Sequence, residues 1–215
     1  MKTENLIRML ATNAEPVKSR SAAVAYAPAL STGALGSLAV MLFGLDLGFR
    51  TDLQQAIQLP MFWVKLALPL ATALLALVVV AKLSRPGTSV GRWPMLLPMP
   101  SLLIWVLAAL SLFNVTNDSR PSLILGSSWA ECAYYIAVIS LPSFGAAIWA
   151  IKQMAPIHLA ASGAAAGLLA GGIGATVYAF HCSEMEPAFL AIWYVLGMLI
   201  PGAAGAAMGR WLLRW

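Results

Sequence analysis

Charge is scarce in this chain. Asp, Glu, Lys and Arg make up 10% of its 215 residues while 60% are apolar, and with a mean hydropathy of +0.82 the composition lies far outside that of soluble domains, in which about a quarter of residues are charged. No paired carboxylates, no nucleophile with a nearby base, no phosphate loop and no bis-histidine haem arrangement occur, so catalysis has no candidate constellation. Within the apolar stretches Lys65 is the single charge, which argues against transport or energy coupling. Only two cysteines and two histidines are present.

What the chain does have is six apolar stretches, Ala22–Leu45, Leu59–Ala81, Pro94–Phe113, Ala133–Ile151, Ile157–Phe180 and Ala188–Gly209. Crossing about 30 Å of hydrocarbon takes roughly 20 residues at the helical rise, and each stretch meets that length. Barrel strands would be half as long and would alternate. The expected fold is therefore all-α: a polytopic membrane protein, a bundle of six transmembrane helices over residues 22–215 behind an amino-terminal tail of residues 1–21. The first stretch is too long for a signal peptide and follows a polar tail, so it reads as a retained span.

The net charge of +5 would suit nucleic-acid binding, but the basic residues follow topology. Lys2, Arg8, Lys18, Arg20, Lys82, Arg85, Arg92, Lys152, Arg210 and Arg214, ten of the thirteen, fall on one side, and the opposite loops hold only Arg50 and Arg120. Asp46, Asp52, Asp118, Glu131, Glu184 and Glu186 crowd that opposite side. The positive-inside rule places both termini in the cytoplasm and the segments 46–58, 114–132 and 181–187 outside.

In the tail, Leu6, Ile7, Met9 and Leu10 form a small apolar face at helical spacing, Thr3 suits a cap and Pro16 a stop. A helix this short orders only when its apolar side is covered, by the lipid surface or by a protein groove. Small residues recur every fourth position at Gly163, Gly167, Gly171 and Ala175 and again at Gly197, Pro201, Gly205 and Gly209, a pattern that lets helix backbones approach closely in lipid. Pro69, Pro142 and Pro201 predict kinks. Lys65 is expected to snorkel outward toward Asp46 or Asp52, and His158 to sit at the inner surface as the fifth span begins.

The two cysteines both fall at outer ends, in Trp129-Ala-Glu-Cys132 and His181-Cys-Ser-Glu184. A five-residue inner turn joins the fourth and fifth spans, so these are antiparallel neighbours and Cys132 and Cys182 should face one pocket. Ser128-Trp-Ala-Glu131 has the capping-box pattern, which puts Cys132 in the first helical turn, where the dipole favours a thiolate. Pro187 suits the first turn of the sixth span. Two thiols with His181, and Glu184 or Glu186 nearby, make a soft ligand set suited to a regulatory copper, zinc or cadmium-like ion, with no cofactor otherwise required. Paired cysteines in an oxidising compartment also bridge as structural disulfides, and the residues leave both readings open.

The tail Leu6-Ile7-Arg8-Met9-Leu10-Ala11 with Pro16-Val17, Trp129 with Cys132, Leu141-Pro142 through Trp149 to Ala155-Pro156, and above all Ser162-Gly163 through Gly171 leading to Tyr178-Ala179-Phe180-His181-Cys182-Ser183-Glu184 and Trp193-Tyr194-Val195-Leu196-Gly197 resemble the NrsF-type six-span anti-sigma factors. The resemblance runs the whole length. It implies a regulator, not an enzyme, that sequesters an extracytoplasmic-function sigma factor at the bacterial inner membrane without touching nucleic acid itself. Leu6, Ile7, Met9, Leu10, Pro16 and Val17 are then the sigma-binding candidates, and Cys132 and Cys182 the sensors whose encounter with metal or oxidant releases the sigma factor. A cytoplasmic His-x3-Cys-x2-Cys zinc switch, used by another anti-sigma class, is excluded because no cysteine is cytoplasmic. The alternative is a small membrane transporter or membrane thiol oxidoreductase using the same cysteines.

Overall fold

The computed structural model describes Thr3, Glu4, Ile7 and residues 22–85, 88–154 and 156–214. Of the tail candidates, Ile7 is helical and exposed; Leu6, Met9, Leu10, Pro16 and Val17 lie outside the described residues. Every regular element among the described residues is helical, and six helices are long and apolar enough to cross a membrane: Tyr26–Gly44, Pro60–Leu83, Trp93–Phe113, Asn117–Lys152, Leu159–Tyr178 and Pro187–Leu212. These are spans one to six. The end where segments 45–59, 114–128 and 179–186 meet is called outer, after the charge asymmetry.

Span five is the hub. It packs against spans six, two, four and one, and its glycines explain how. A Cβ on Gly163 would collide with the Gly205 carbonyl, one on Gly167 with the Pro201 carbonyl, and one on Gly171 would lie 2.7 Å from the Met198 carbonyl. On its other faces, a Cβ on Gly172 would meet the Pro69 carbonyl of span two at 2.7 Å, and one on Gly174 the Ser140 side chain of span four at 2.9 Å. In lipid, where water does not drive helices together, such backbone proximity maximises dispersion contact and holds the bundle. Span one closes the bundle against span four, where Ser37 and Ser143 share a 2.8 Å hydrogen bond between their hydroxyls. Span three lies at the periphery, fastened to span six by Trp105 Nε1 donating to the Ala191 carbonyl at 2.7 Å.

The helices are less regular than their apolar patterns suggest. Within span four the long helix starts at Trp129, four residues before the expected Ala133, is interrupted at Ser140, and resumes as Leu141–Lys152 with Pro142 in its first turn. The kink expected at Pro142 is thus a break between two helices, because proline withholds the N–H that would continue the ladder. Before Trp129 the outer loop forms a helix, Arg120–Leu125, that ends at Gly126. Spans two and six begin on Pro60 and Pro187, the helix position where a missing N–H costs nothing. Spans one and six each contain a single π turn, Val40–Gly44 and Leu190–Tyr194.

Replacing Gly167 by Ala should destabilise the bundle by at least about 1–3 kcal/mol, since backbone on both sides must move. Gly145→Ala should be neutral or stabilising by about 0.5–1 kcal/mol, because nothing lies within 4 Å of the added Cβ. Unfolding in mixed detergent micelles, followed by helicity, checks the pair; equal effects would show that the spans are not in backbone contact.

Candidate functional site

The loop joining spans five and six is drawn onto the outer end by two cations. Lys65, in the second turn of span two, is fully buried, and its Nζ donates to the Cys182 carbonyl at 2.6 Å and the Glu184 carbonyl at 2.8 Å. The ammonium also lies 5.3 Å over the Tyr194 ring. A buried ammonium is tolerated only when its donors are satisfied, and here two backbone oxygens and a ring face satisfy it. The outward snorkelling expected of Lys65 does not occur: the 179–186 loop folds over it and supplies the acceptors that water would otherwise provide.

Arg50 works from the other side. Its Nη1 donates to the same Cys182 carbonyl at 3.3 Å and its backbone N–H to the Phe180 carbonyl at 3.0 Å, so it closes the carboxyl end of span five. Two 2.6 Å bonds to Asp52 orient the guanidinium. That hydrogen bonding raises the Arg50 pKa and lowers that of Asp52. The pair therefore persists at neutral pH and is lost only as pH falls through the acidic range, and with Asp52 half exposed it contributes orientation more than stability.

Cys132 and Cys182 are both buried and both unbridged and lie in one buried cluster, with the Cys132 thiol as the neighbour of the Cys182 sulfur. This contact first, and then, against the opposing effect of burial, the Lys65 ammonium, the Glu184 backbone N–H and Tyr194 hold Cys182 below the usual thiol range. The Tyr194 hydroxyl makes no well-formed hydrogen bond of its own. The capping box expected at the start of span four is absent. Ser128 occupies the N-cap but its side chain makes no capping bond; its carbonyl instead takes the Cys132 N–H at 3.0 Å. The thiolate is therefore favoured at Cys182, beside the cation, and not at Cys132 by a helix terminus.

His181 and Glu184 face other partners. His181 Nδ1 lies 3.1 Å from the Gly48 carbonyl, which can only accept, so Nδ1 carries the proton. One oxygen of the Glu184 carboxylate accepts from the Ser127 N–H at 2.8 Å and the Ser127 hydroxyl at 2.6 Å. This bond clips the chain just after Arg120–Leu125 to the 179–186 loop, aided by Trp193 Nε1 donating to the Ile124 carbonyl at 2.9 Å, and Ile124 packs against the buried cluster that contains both cysteines. Gly126 makes the clip possible: its φ is +57°, and a Cβ there would lie 2.8 Å from the Glu184 carboxyl carbon. Of the four residues named as soft-metal ligands, the structure brings the two sulfurs together and engages the other two elsewhere. Among the described residues no three His, Cys, Asp or Glu side chains are grouped so as to hold a metal ion, and a cation next to the Lys65 ammonium would be repelled. Lys65, Arg50, Ser127 and Tyr194 were not anticipated as parts of the site. One signal existed, a lysine inside an apolar run.

Fold and site together define a polytopic helical membrane protein with a buried, unbridged pair of cysteines at one end of its bundle. Residues 10–215 match the family described as NrsF, negative regulator of sigma F, and the chain belongs to that family. It is 43% identical over 215 residues to a protein from Azospira oryzae named probable anti-sigma-F factor NrsF, with 100% of both chains covered. It is 38% identical over 222 aligned positions, again with 100% of both covered, to the anti-sigma-F factor NrsF of Caulobacter vibrioides. No solved structure matches the chain.

Replacing Glu184 by Gln removes the charge from the clip, and Gly126→Ala forces its backbone. Each should raise the rate at which N-ethylmaleimide modifies Cys182 by about tenfold, the consequence of losing on the order of 1.5 kcal/mol of charge-assisted hydrogen bonding. Peptide mass spectrometry of the purified protein gives the rate. An unchanged rate in both variants would mean that the segment does not shield the thiols.

Proposed function

We propose that the chain is an inner-membrane anti-sigma factor. It holds an extracytoplasmic-function sigma factor through its cytoplasmic tail and releases it when the outer thiol pair reacts. Full-length kinship with two proteins named as anti-sigma-F factors supports the class. Both termini face the cytoplasm in this reading, because ten of the thirteen basic residues gather on their side. Ile7, with Leu6, Met9, Leu10, Pro16 and Val17 beside it in sequence, supplies the apolar face a sigma factor would cover.

The observation that carries the sensing half is the contact between two buried, unbridged thiols, one on span four and one in the loop between spans five and six. A peroxide-class oxidant fits it: the Cys182 thiolate attacks one peroxide oxygen, the O–O bond breaks, and a sulfenic acid and hydroxide form. Cys132 then attacks that sulfur, the S–S bond closes, and the sulfenic oxygen leaves as water. A soft metal ion is the second reading, favoured by the same two sulfurs. It requires both thiols to lose their protons and His181 to leave the Gly48 carbonyl.

Changing Leu6 and Leu10 together to Asp should make transcription of the sigma factor's targets constitutive while leaving insertion intact. A reporter fusion reads the first and membrane fractionation the second. Normal repression together with normal copurification of the sigma factor would remove the tail as the binding surface.

Cys132→Ser, Cys182→Ser and the double substitution should produce signalling defects of similar size, because the two sulfurs act as one unit and effects within a unit do not add. In intact cells, maleimide labelling without reductant that is blocked by cadmium would favour the metal reading, whereas loss of labelling after peroxide, restored by reductant, would favour the disulfide. Full induction in the double serine variant by every metal and oxidant tested would remove the sensing role.

A further inference from the structure

Lys65 is the one intramembrane charge, and its charge beside the Cys182 thiol is only part of what it does. Its geometry gives it a different task. The ammonium has three N–H donors, and the structure gives two of them the carbonyls of Cys182 at 2.6 Å and Glu184 at 2.8 Å. A single side chain of span two thus grips the backbone of Cys182 and takes the residue two further along as a second anchor. The loop has no regular secondary structure between Tyr178 and Pro187, so its conformation depends on such contacts from neighbouring spans.

The remaining charged and titratable groups around the ammonium are already committed. Arg50 shares the Cys182 carbonyl and is paired with Asp52; Glu184 turns its carboxylate to Ser127; His181 faces Gly48; and Tyr194 offers its ring. None joins the Cys182 and Glu184 carbonyls as Lys65 does. Cys132 lies within a helix of span four, whereas Cys182 lies one turn past the end of span five, its N–H on the Tyr178 carbonyl at 3.0 Å and the chain beyond it irregular.

We propose that Lys65 is the positioning residue of the thiol site: by gripping the Cys182 and Glu184 carbonyls it keeps the Cys182 sulfur against Cys132, so that attack on Cys182 is followed by closure of the Cys132–Cys182 bond. Holding the second thiol beside the first makes closure an intramolecular step with a high effective concentration. Without the grip, the loop wanders and a modified Cys182 persists. The inference concerns the chemistry of the pair and stands apart from the reading of that chemistry as a signal to a sigma factor.

Oxidised 2-mercaptoethanol tests it on the full chain in native membranes. The Cys182 thiolate attacks this small disulfide and expels one mercaptoethanol, leaving a mixed disulfide; Cys132 then attacks the Cys182 sulfur, closes the protein disulfide and expels the second mercaptoethanol. The readout is the ratio of bridged to capped Cys182 by peptide mass spectrometry, a quantity independent of how fast the reagent enters. The wild-type chain should yield almost only the bridged form. Lys65→Met should raise the capped fraction at least tenfold, and Lys65→Arg, which retains charge and donors to the carbonyls, should recover most of the loss. Lys65→Gln, a neutral donor of similar length, reads the same ratio should the methionine variant fail to insert, and it should fall between the two. An unchanged ratio in the methionine and glutamine variants, or an arginine variant as impaired as the methionine one, would overturn the proposal. A clear shift in partition with normal sigma-factor release would leave it standing and count against the proposed sensing function alone.

Discussion

The backbone contact between spans five and six decides much of what happens at the outer end. Gly163 and Gly167 let span five lie so close to Gly205 and Pro201 that a single methyl group on either glycine would collide with a carbonyl. Two helices at that distance need only a short connection, and the chain from Ala179 to Glu186 supplies it. Cys182 sits in this connection, and its position depends on helix packing set up far deeper in the bundle. Dispersion between small residues, and not burial from water, is the term that supports it.

Polar groups at the outer end show how a membrane protein manages backbone that is not helical. Carbonyls beyond the last turn of span five have no intrahelical partner, and hydrocarbon offers none. Arg50 and Lys65 fill that role from two different segments, binding the Phe180, Cys182 and Glu184 carbonyls. A cation buried among oxygens and a ring face is satisfied on its own account, and it also shapes the thiol beside it. One side chain therefore resolves a backbone problem and creates a chemical asymmetry between two otherwise equivalent cysteines.

The outer site also has a physical line to the opposite end. Span two carries Lys65 near its start and ends at Leu83, where the Ser84 hydroxyl accepts a 2.6 Å hydrogen bond from Tyr26 of span one, the helix that follows the amino-terminal tail. Rigid helices transmit displacement when both ends are held by specific contacts.

Six spans were legible in the sequence because apolar length alone sets them, and the small-residue stripes at every fourth position of spans five and six announced their close packing. The meeting of Cys132 with Cys182 was also legible, since a short turn forces spans four and five to run side by side. The π turns at Val40–Gly44 and Leu190–Tyr194 left no mark in composition. Lys65 was read toward Asp46 or Asp52 because sequence shows only neighbours along a helix, and the carbonyls it binds belong to Cys182 and Glu184, 117 and 119 residues away. The Ser127–Glu184 clip and the Arg50 closure are contacts of the same kind. Local periodicity determined which segments cross the membrane; only tertiary structure decided which polar groups face one another at its outer end, because hydrogen bonds between distant segments depend on packing that no local pattern encodes.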